Sequence, residues 1–270
     1  IMSRGLGDVY KRQGSRPRPA GGGGVRTLRL LHLYPDHMNI YADRGNIAVL
    51  ARRLRWRGMA LELIESGPGE AVDPAGFDLF YLGGGQDRDQ VMVADDLRDH
   101  KAAALAAAVA DGAAGLCVCG GYQLAGHGYT GSDGGRMPGI GLLDLDTVAG
   151  PSRLIGDLVI EAELGGVHRT VVGFENHAGR TRLGAARPLG RVIAGHGNNG
   201  DDHGEGAVAG RVVGTYLHGP LLPKNPWVAD TLIAWGLARR AGNPPELEPL
   251  DDGLAAAARE TAMARAGRRR

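Results

Sequence analysis

The chain has 270 residues, 43% of them hydrophobic, and a formal net charge of +1. That length supports one sizeable core, and no apolar run approaches the roughly 18 residues of a membrane span. The positive charge sits at the ends, in Arg4, Lys11, Arg12, Arg16 and Arg18 and again in Arg265 and Arg268 to Arg270. The body between is mildly acidic, which argues against a nucleic-acid-binding surface.

Residues 1–24 are rich in Arg, Gly and Pro and read as a disordered tail foreign to the fold. The apolar run of Leu28, Leu30, Leu31 and Leu33 predicts a buried strand. Asp43 is placed to cap a helix over 44–57, with Ile47, Leu50, Ala51 and Leu54 on one face. Short strands are expected over 61–64 and 78–82, the second running into Gly83-Gly84-Gly85. A polar helical stretch and an Ala-rich helix near 101–110 follow, then a strand over 115–118 that stops at Cys119-Gly120-Gly121. Strands alternating with helices imply an α/β fold with a parallel, doubly wound sheet.

After Gly126 the texture changes. Short β-like pieces at 158–161, 170–173, 191–194 and 207–213, separated by Gly-rich turns, suggest an antiparallel β extension. Residues 229–239 read as a helix, 242–252 as a Pro- and acid-rich stretch, and the remainder as a C-terminal tail that is partly helical. The domain reading is therefore a tail at 1–24, a catalytic domain at 25–241 and a tail at 242–270.

Cys117 and Cys119 are the only cysteines. A single residue separates them along the chain, and no disulfide is expected between them. With no export signal in view, this suggests a reducing, cytoplasmic setting. Cys119 stands where an apolar strand meets two glycines and a helical stretch, the context of a nucleophile elbow. A helix N-terminus behind the sulfur favours thiolate, and the Gly120 N–H would face an oxyanion. Cys117 belongs in the core. His218, in Gly214-Thr215-Tyr216-Leu217-His218-Gly219-Pro220, is delivered by a strand into a turn, accessible as a general base must be. His196 and His203 lie in a Gly/Asp-rich loop and read as surface residues. Gly83-Gly84-Gly85 lets backbone approach a ligand. A zinc site from Cys117, Cys119, His127 and His177 is a poor reading without paired cysteine spacings, and no phosphate-binding loop is present.

These motifs resemble the class I glutamine amidotransferase family, in its branch related to cobyric acid synthase. The resemblance rests on Met38-Asn39-Ile40-Tyr41-Ala42-Asp43-Arg44-Gly45-Asn46, Tyr81-Leu82-Gly83-Gly84-Gly85-Gln86-Asp87 and Cys119-Gly120-Gly121-Tyr122-Gln123-Leu124. It continues in Gly173-Phe174-Glu175-Asn176-His177-Ala178-Gly179-Arg180-Thr181, Gly197-Asn198-Asn199-Gly200 and the run from Gly214 to Pro226. The Asp-Arg-Gly-Asn and Leu-Leu-Pro-Lys-Asn-Pro segments point to a cell-wall member of that branch.

The resemblance implies a flavodoxin-like sheet and a glutaminase with Cys119 as nucleophile and His218 as base. It implies oxyanion donors at the backbone of Gly84 and Gly120, and Arg153 as the group that binds the glutamine α-carboxylate. It further implies no metal or cofactor on this chain. ATP and Mg would belong to a Mur-ligase-like, ATP-dependent synthetase partner, which amidates D-glutamate of lipid II at the inner face of the membrane. Many family members carry Glu two residues after the base His; here that position is Pro220. A third triad member must come from elsewhere, come from the partner, or be absent, so weak activity without the partner is expected. A corrinoid diamide synthase is the alternative acceptor chemistry; such an enzyme usually carries an ATP-binding domain on the same chain, and the missing phosphate-binding loop argues against it. A non-catalytic regulatory subunit on the same fold is the other alternative.

Overall fold

The computed structural model describes residues 26–39 and 44–267. The expected tail at 1–24, the capping role of Asp43 and the three terminal arginines lie outside the described residues.

Two six-stranded sheets organise the described residues. The first is built from β1 (Thr27–Leu33), β2 (Ala60–Ser66), β3 (Leu79–Leu82), β4 (Ala114–Val118), β11 (Ala207–Ala209) and β12 (Val212–Thr215). Its order is β11-β12-β4-β3-β1-β2, parallel throughout except for β11. From β2 to β12 this is the flavodoxin-like order, which reverses between β1 and β3. Strands β3, β4 and β12 are buried on both faces, as strands inside a parallel sheet must be. Helix α1 (Arg44–Trp56) packs on β2 and on α6 (Pro226–Ala241), and α6 lies across β1, β3 and β4. Close approach there depends on Gly236: a Cβ at that position would come within 2.6 Å of Leu28.

The polar stretch after β3 forms α2 (Asp87–Asp96), a π-helical turn over Leu97–Lys101, and α3 (Ala102–Ala110). Lys101 is fully buried at that turn. Its ammonium is held by Asp96 at 2.7 Å and the Glu70 carbonyl at 2.9 Å, and the Tyr34 hydroxyl donates to the same carboxylate at 2.6 Å.

The second sheet corrects the expectation of short β pieces. Its main body is one long hairpin, β7 (Leu145–Leu164) with β8 (Val167–Leu183), turned by Gly165 and Gly166, both at positive φ (61° and 76°). Strands β5 (Gly128–Thr130), β6 (Arg136–Pro138), β9 (Gly190–Ala194) and β10 (Gly204–Glu205) complete it. The register of β7 slips between Ala149 and Leu154, a bulge that re-aims the residues within it. The expected strand over 207–213 is also a hairpin, β11 to β12, reversed at Gly210 (φ 56°).

The Pro- and acid-rich stretch is tied to the body. Arg53, 3% exposed, binds Asp230 at 2.6 Å and Asp252 at 2.5 Å, while Arg57 donates to Asp230 and to the Glu248 carbonyl. These pairs hold Asp230 below the usual carboxylate range against the opposing effect of burial. Beyond it, α7 (Gly253–Gly267) packs on β7 and β8, with Arg265 bonded to Asp157. Among the described residues no helix is long and apolar enough to cross a membrane.

Candidate active site

Cys119 occupies the turn between β4 and the short helix α4 (Gly120–Ala125), with φ 51° and ψ −108°. A side-chain-bearing residue in that region is strained by roughly 1–3 kcal/mol, so the surroundings must enforce it. They do so through backbone: the Cys119 N–H donates to the Thr215 carbonyl at 2.9 Å and the Gly121 N–H to the Gly83 carbonyl at 3.1 Å. Both following positions require glycine. A Cβ on Gly121 would sit 2.4 Å from the Leu82 carbonyl oxygen, and one on Gly120 2.9 Å from the Gln90 carboxamide and 3.0 Å from the Gly85 nitrogen. Cys119 opens onto a cavity of about 350 Å³, of a size for a small ligand. Cys117 is fully buried, and burial pushes its thiol up to about 12, so it stays protonated.

The base candidate arrives from the neighbouring strand. Parallel register sets Val118 of β4 beside Thr215 of β12, so Cys119 and His218 leave the same end of adjacent strands. His218 exchanges backbone hydrogen bonds with Phe174 of β8, at 2.9 and 3.2 Å. Its ring is buried, and burial lowers its pKa to about 4, with the nearby His177 and Arg153 pushing the same way. The imidazole is therefore neutral at neutral pH, the form that accepts a proton.

The turn carrying His218 is held by the two segments that singled out the cell-wall branch. A Cβ on Gly45 would meet Pro220 at 2.7 Å, so the glycine makes room for the proline. Asn46, fully buried, accepts the Leu222 N–H at 2.9 Å and donates to the Tyr81 hydroxyl at 3.1 Å. Asn225 bonds both the N–H and the carbonyl of Val172 and also the Leu221 carbonyl. The short helix α5 (Leu221–Lys224) is thus tied to β8 and α1. Pro220, where the family resemblance led us to look for an acid, packs against Gly45.

Arg153 lies in the β7 bulge and lines the cavity. Its Nε donates to Asn176 Oδ1 and an Nη to the Asn176 carbonyl, both at 2.7 Å. The guanidinium is held by one edge and keeps further N–H donors for a carboxylate. Of the loop glycines, Gly85 lines the cavity; Gly84 is buried one position earlier.

Beneath the cavity lies a polar layer that the sequence motifs only hinted at. His177 stacks on Tyr216, with ring centroids 3.6 Å apart, and bonds the Gly179 carbonyl at 2.8 Å. The Tyr216 hydroxyl meets Thr181 at 2.7 Å and Gln123 at 3.1 Å. Glu205 accepts from the Thr215 hydroxyl at 2.6 Å and the Tyr216 N–H at 2.8 Å. Burial pushes this carboxyl up to about 7 despite those bonds. Gln90, Tyr129 and Asn176 also line the cavity. None carries a motif of its own, and only the family segment around Asn176 pointed there. Among the described residues, no three His, Cys, Asp or Glu side chains gather as a metal site. His196 and His203 are exposed.

Comparison with known proteins shows the family. The chain is 39% identical over 246 residues to the GatD subunit of the glutamine-hydrolysing lipid II isoglutaminyl synthase of Staphylococcus aureus, covering 91% of this chain and 99% of that protein. It is 36% identical to the same subunit from Streptococcus pneumoniae, covering 83% and 86%. Cobyric acid synthase of Rhodobacter capsulatus is 39% identical, but over only 43% of this chain and 24% of that protein. Among solved structures, PurLQS from Thermotoga maritima shares the fold, with a TM-score of 0.52 at 17% identity over 78% of this chain and 95% of that one. Residues 29–226 match the CobB/CobQ-like glutamine amidotransferase domain, and the chain belongs to that family.

Proposed function

We propose that this protein is the glutaminase subunit of a lipid II isoglutaminyl synthase. Cys119 attacks the side-chain carbonyl carbon of glutamine, and His218 takes the thiol proton. Backbone N–H groups of Gly120 and of the Gly84–Gly85 loop hold the resulting oxyanion. His218 then returns the proton to the leaving nitrogen, the C–N bond breaks and ammonia departs, leaving a glutamyl thioester on Cys119. Water, deprotonated by His218, adds to the thioester; the C–S bond breaks, glutamate leaves and the thiol is restored. Arg153 binds the α-carboxylate of the substrate.

The observation that carries the chemistry is the strained Cys119 opening onto the same cavity as Arg153. The acceptor rests on the two GatD relatives, whose lengths this chain covers at 99% and 86%. Those proteins are subunits, so a partner subunit belongs to the reading. We assign that partner as a Mur-ligase-like synthetase that binds ATP and Mg and works on lipid II at the inner face of the membrane. Ammonia released here is the nitrogen source for its D-glutamate carboxyl.

Amidation of lipid II by the two-subunit complex tests this assignment. With Cys119→Ala, the complex should fail on glutamine and still work on an ammonium salt. Loss of both, or retention of glutamine-dependent amidation, would contradict it.

A further inference from the structure

One polar side chain in the cavity has no part in the reaction as written. Gln90, at the end of the first turn of α2, is 2% exposed and lines the cavity with Cys119. Its Nε2 donates to the Gly85 carbonyl at 3.2 Å. That bond sets the orientation of the amide, because only its nitrogen can face a carbonyl. The other end, Oε1, is a buried acceptor with no hydrogen-bond partner among the described residues. Buried acceptors are nearly always paired, so an unpaired one on a residue that lines the cavity marks where a ligand donor belongs.

The neighbours say which donor. The Cβ position of Gly120 is 2.9 Å from both Cδ and Nε2 of Gln90 and 3.0 Å from the Gly85 nitrogen. The Gln90 carboxamide, the Gly85 N–H and the Gly120 backbone therefore converge beside the nucleophile. A carboxamide presented to Cys119 has two unlike ends. Its oxygen faces the N–H groups, and its NH2, a double donor, faces an acceptor.

We infer that Gln90 is a specificity-determining residue of the glutaminase site, its Oε1 accepting an N–H of the glutamine side-chain amide. The inference rests on the glutaminase reading above and adds the contact that separates amide from acid. A glutamate carboxylate has no N–H and would set oxygen against Oε1, so the same contact disfavours retention of the product. Sites built around a substrate N–H reject analogues that lack it.

A purely structural Gln90, acting only to buttress Gly85, is distinguishable by substrate. L-glutamate γ-methyl ester offers the same carbonyl with a leaving group that has no N–H. Both substrates are assayed on the full chain with its synthetase partner. Gln90→Met and Gln90→Ala remove the acceptor, and both should lower the ratio of kcat/KM for glutamine over ester by about tenfold or more. Gln90→Glu keeps an acceptor oxygen but loses the donor to Gly85, and should hold that ratio within about threefold of wild type. An equal loss on both substrates in Gln90→Met and Gln90→Ala assigns the buttress role and overturns the inference. A wild-type complex inert toward both substrates overturns the glutaminase reading, and the inference with it.

Discussion

Asn46 Oδ1 accepts the backbone N–H of Leu222 at 2.9 Å, joining the start of α1 to the turn that carries His218 across 176 positions of sequence. Both residues are fully buried, and Asn46 also bonds Tyr81. Removing the amide leaves a buried N–H unpaired, at a cost of roughly 1–3 kcal/mol. Asn46→Ala should therefore lower Tm by several degrees and reduce glutamine turnover more than it weakens glutamine binding. Calorimetry with steady-state kinetics checks this; an unchanged kcat would separate this clasp from the placement of His218.

Arg153 meets Asn176 through a fork of two 2.7 Å bonds. A lysine keeps the charge but cannot make that fork. Arg153→Lys should raise KM for glutamine by about tenfold or more and leave kcat within a few fold, the pattern of lost ground-state binding. A fall in kcat at unchanged KM would remove Arg153 from α-carboxylate binding.

His218 has a pKa lowered to about 4 by burial, aided by His177 and Arg153. The active base is the neutral form, so kcat/KM of the free enzyme should stay flat from pH 7 down to about 5. A break near the ordinary histidine value of about 6.5 would contradict the burial argument. The stability sign runs the same way. A depressed folded pKa leaves the unfolded state the better proton binder, so this group's contribution is present above pH 6.5 and is lost as pH falls through about 4.

Much of the first sheet was legible because parallel strands buried on both faces read as apolar runs, and the glycines after Cys119 are forced by contacts with Leu82 and Gln90. The long β7–β8 hairpin was not. The β-like piece expected at 170–173 stopped at Gly173, yet β8 runs on through Gly173 and Gly179, where Cβ atoms would strike Leu217 at 2.7 Å and Gln123 at 2.5 Å. Glycine in a strand marked close approach there, not chain reversal. Gly150, Pro151 and Ser152 lie in the bulge that also carries Arg153. Gln90 gave no signal, since its role depends on facing Gly120 and Gly85, which only the fold brings together.

Glu205 offers a test of the layer under the elbow. Its carboxyl is pushed up to about 7, above an unfolded value near 4.5. A raised folded pKa gives stability that is present below pH 4.5 and lost as pH rises through about 7. Glu205→Gln removes that titration and keeps an acceptor for Thr215 and Tyr216. The Tm difference, variant minus wild type, should therefore increase between pH 5 and pH 8. A difference independent of pH would show that Glu205 is ionised throughout.

The most direct test of the account is release of ammonia and glutamate from glutamine by the wild-type chain and by Cys119→Ala, each alone and with the partner subunit. The account predicts release that depends on Cys119 and rises when the partner is added. Release that survives Cys119→Ala, or none even with the partner bound, would contradict it.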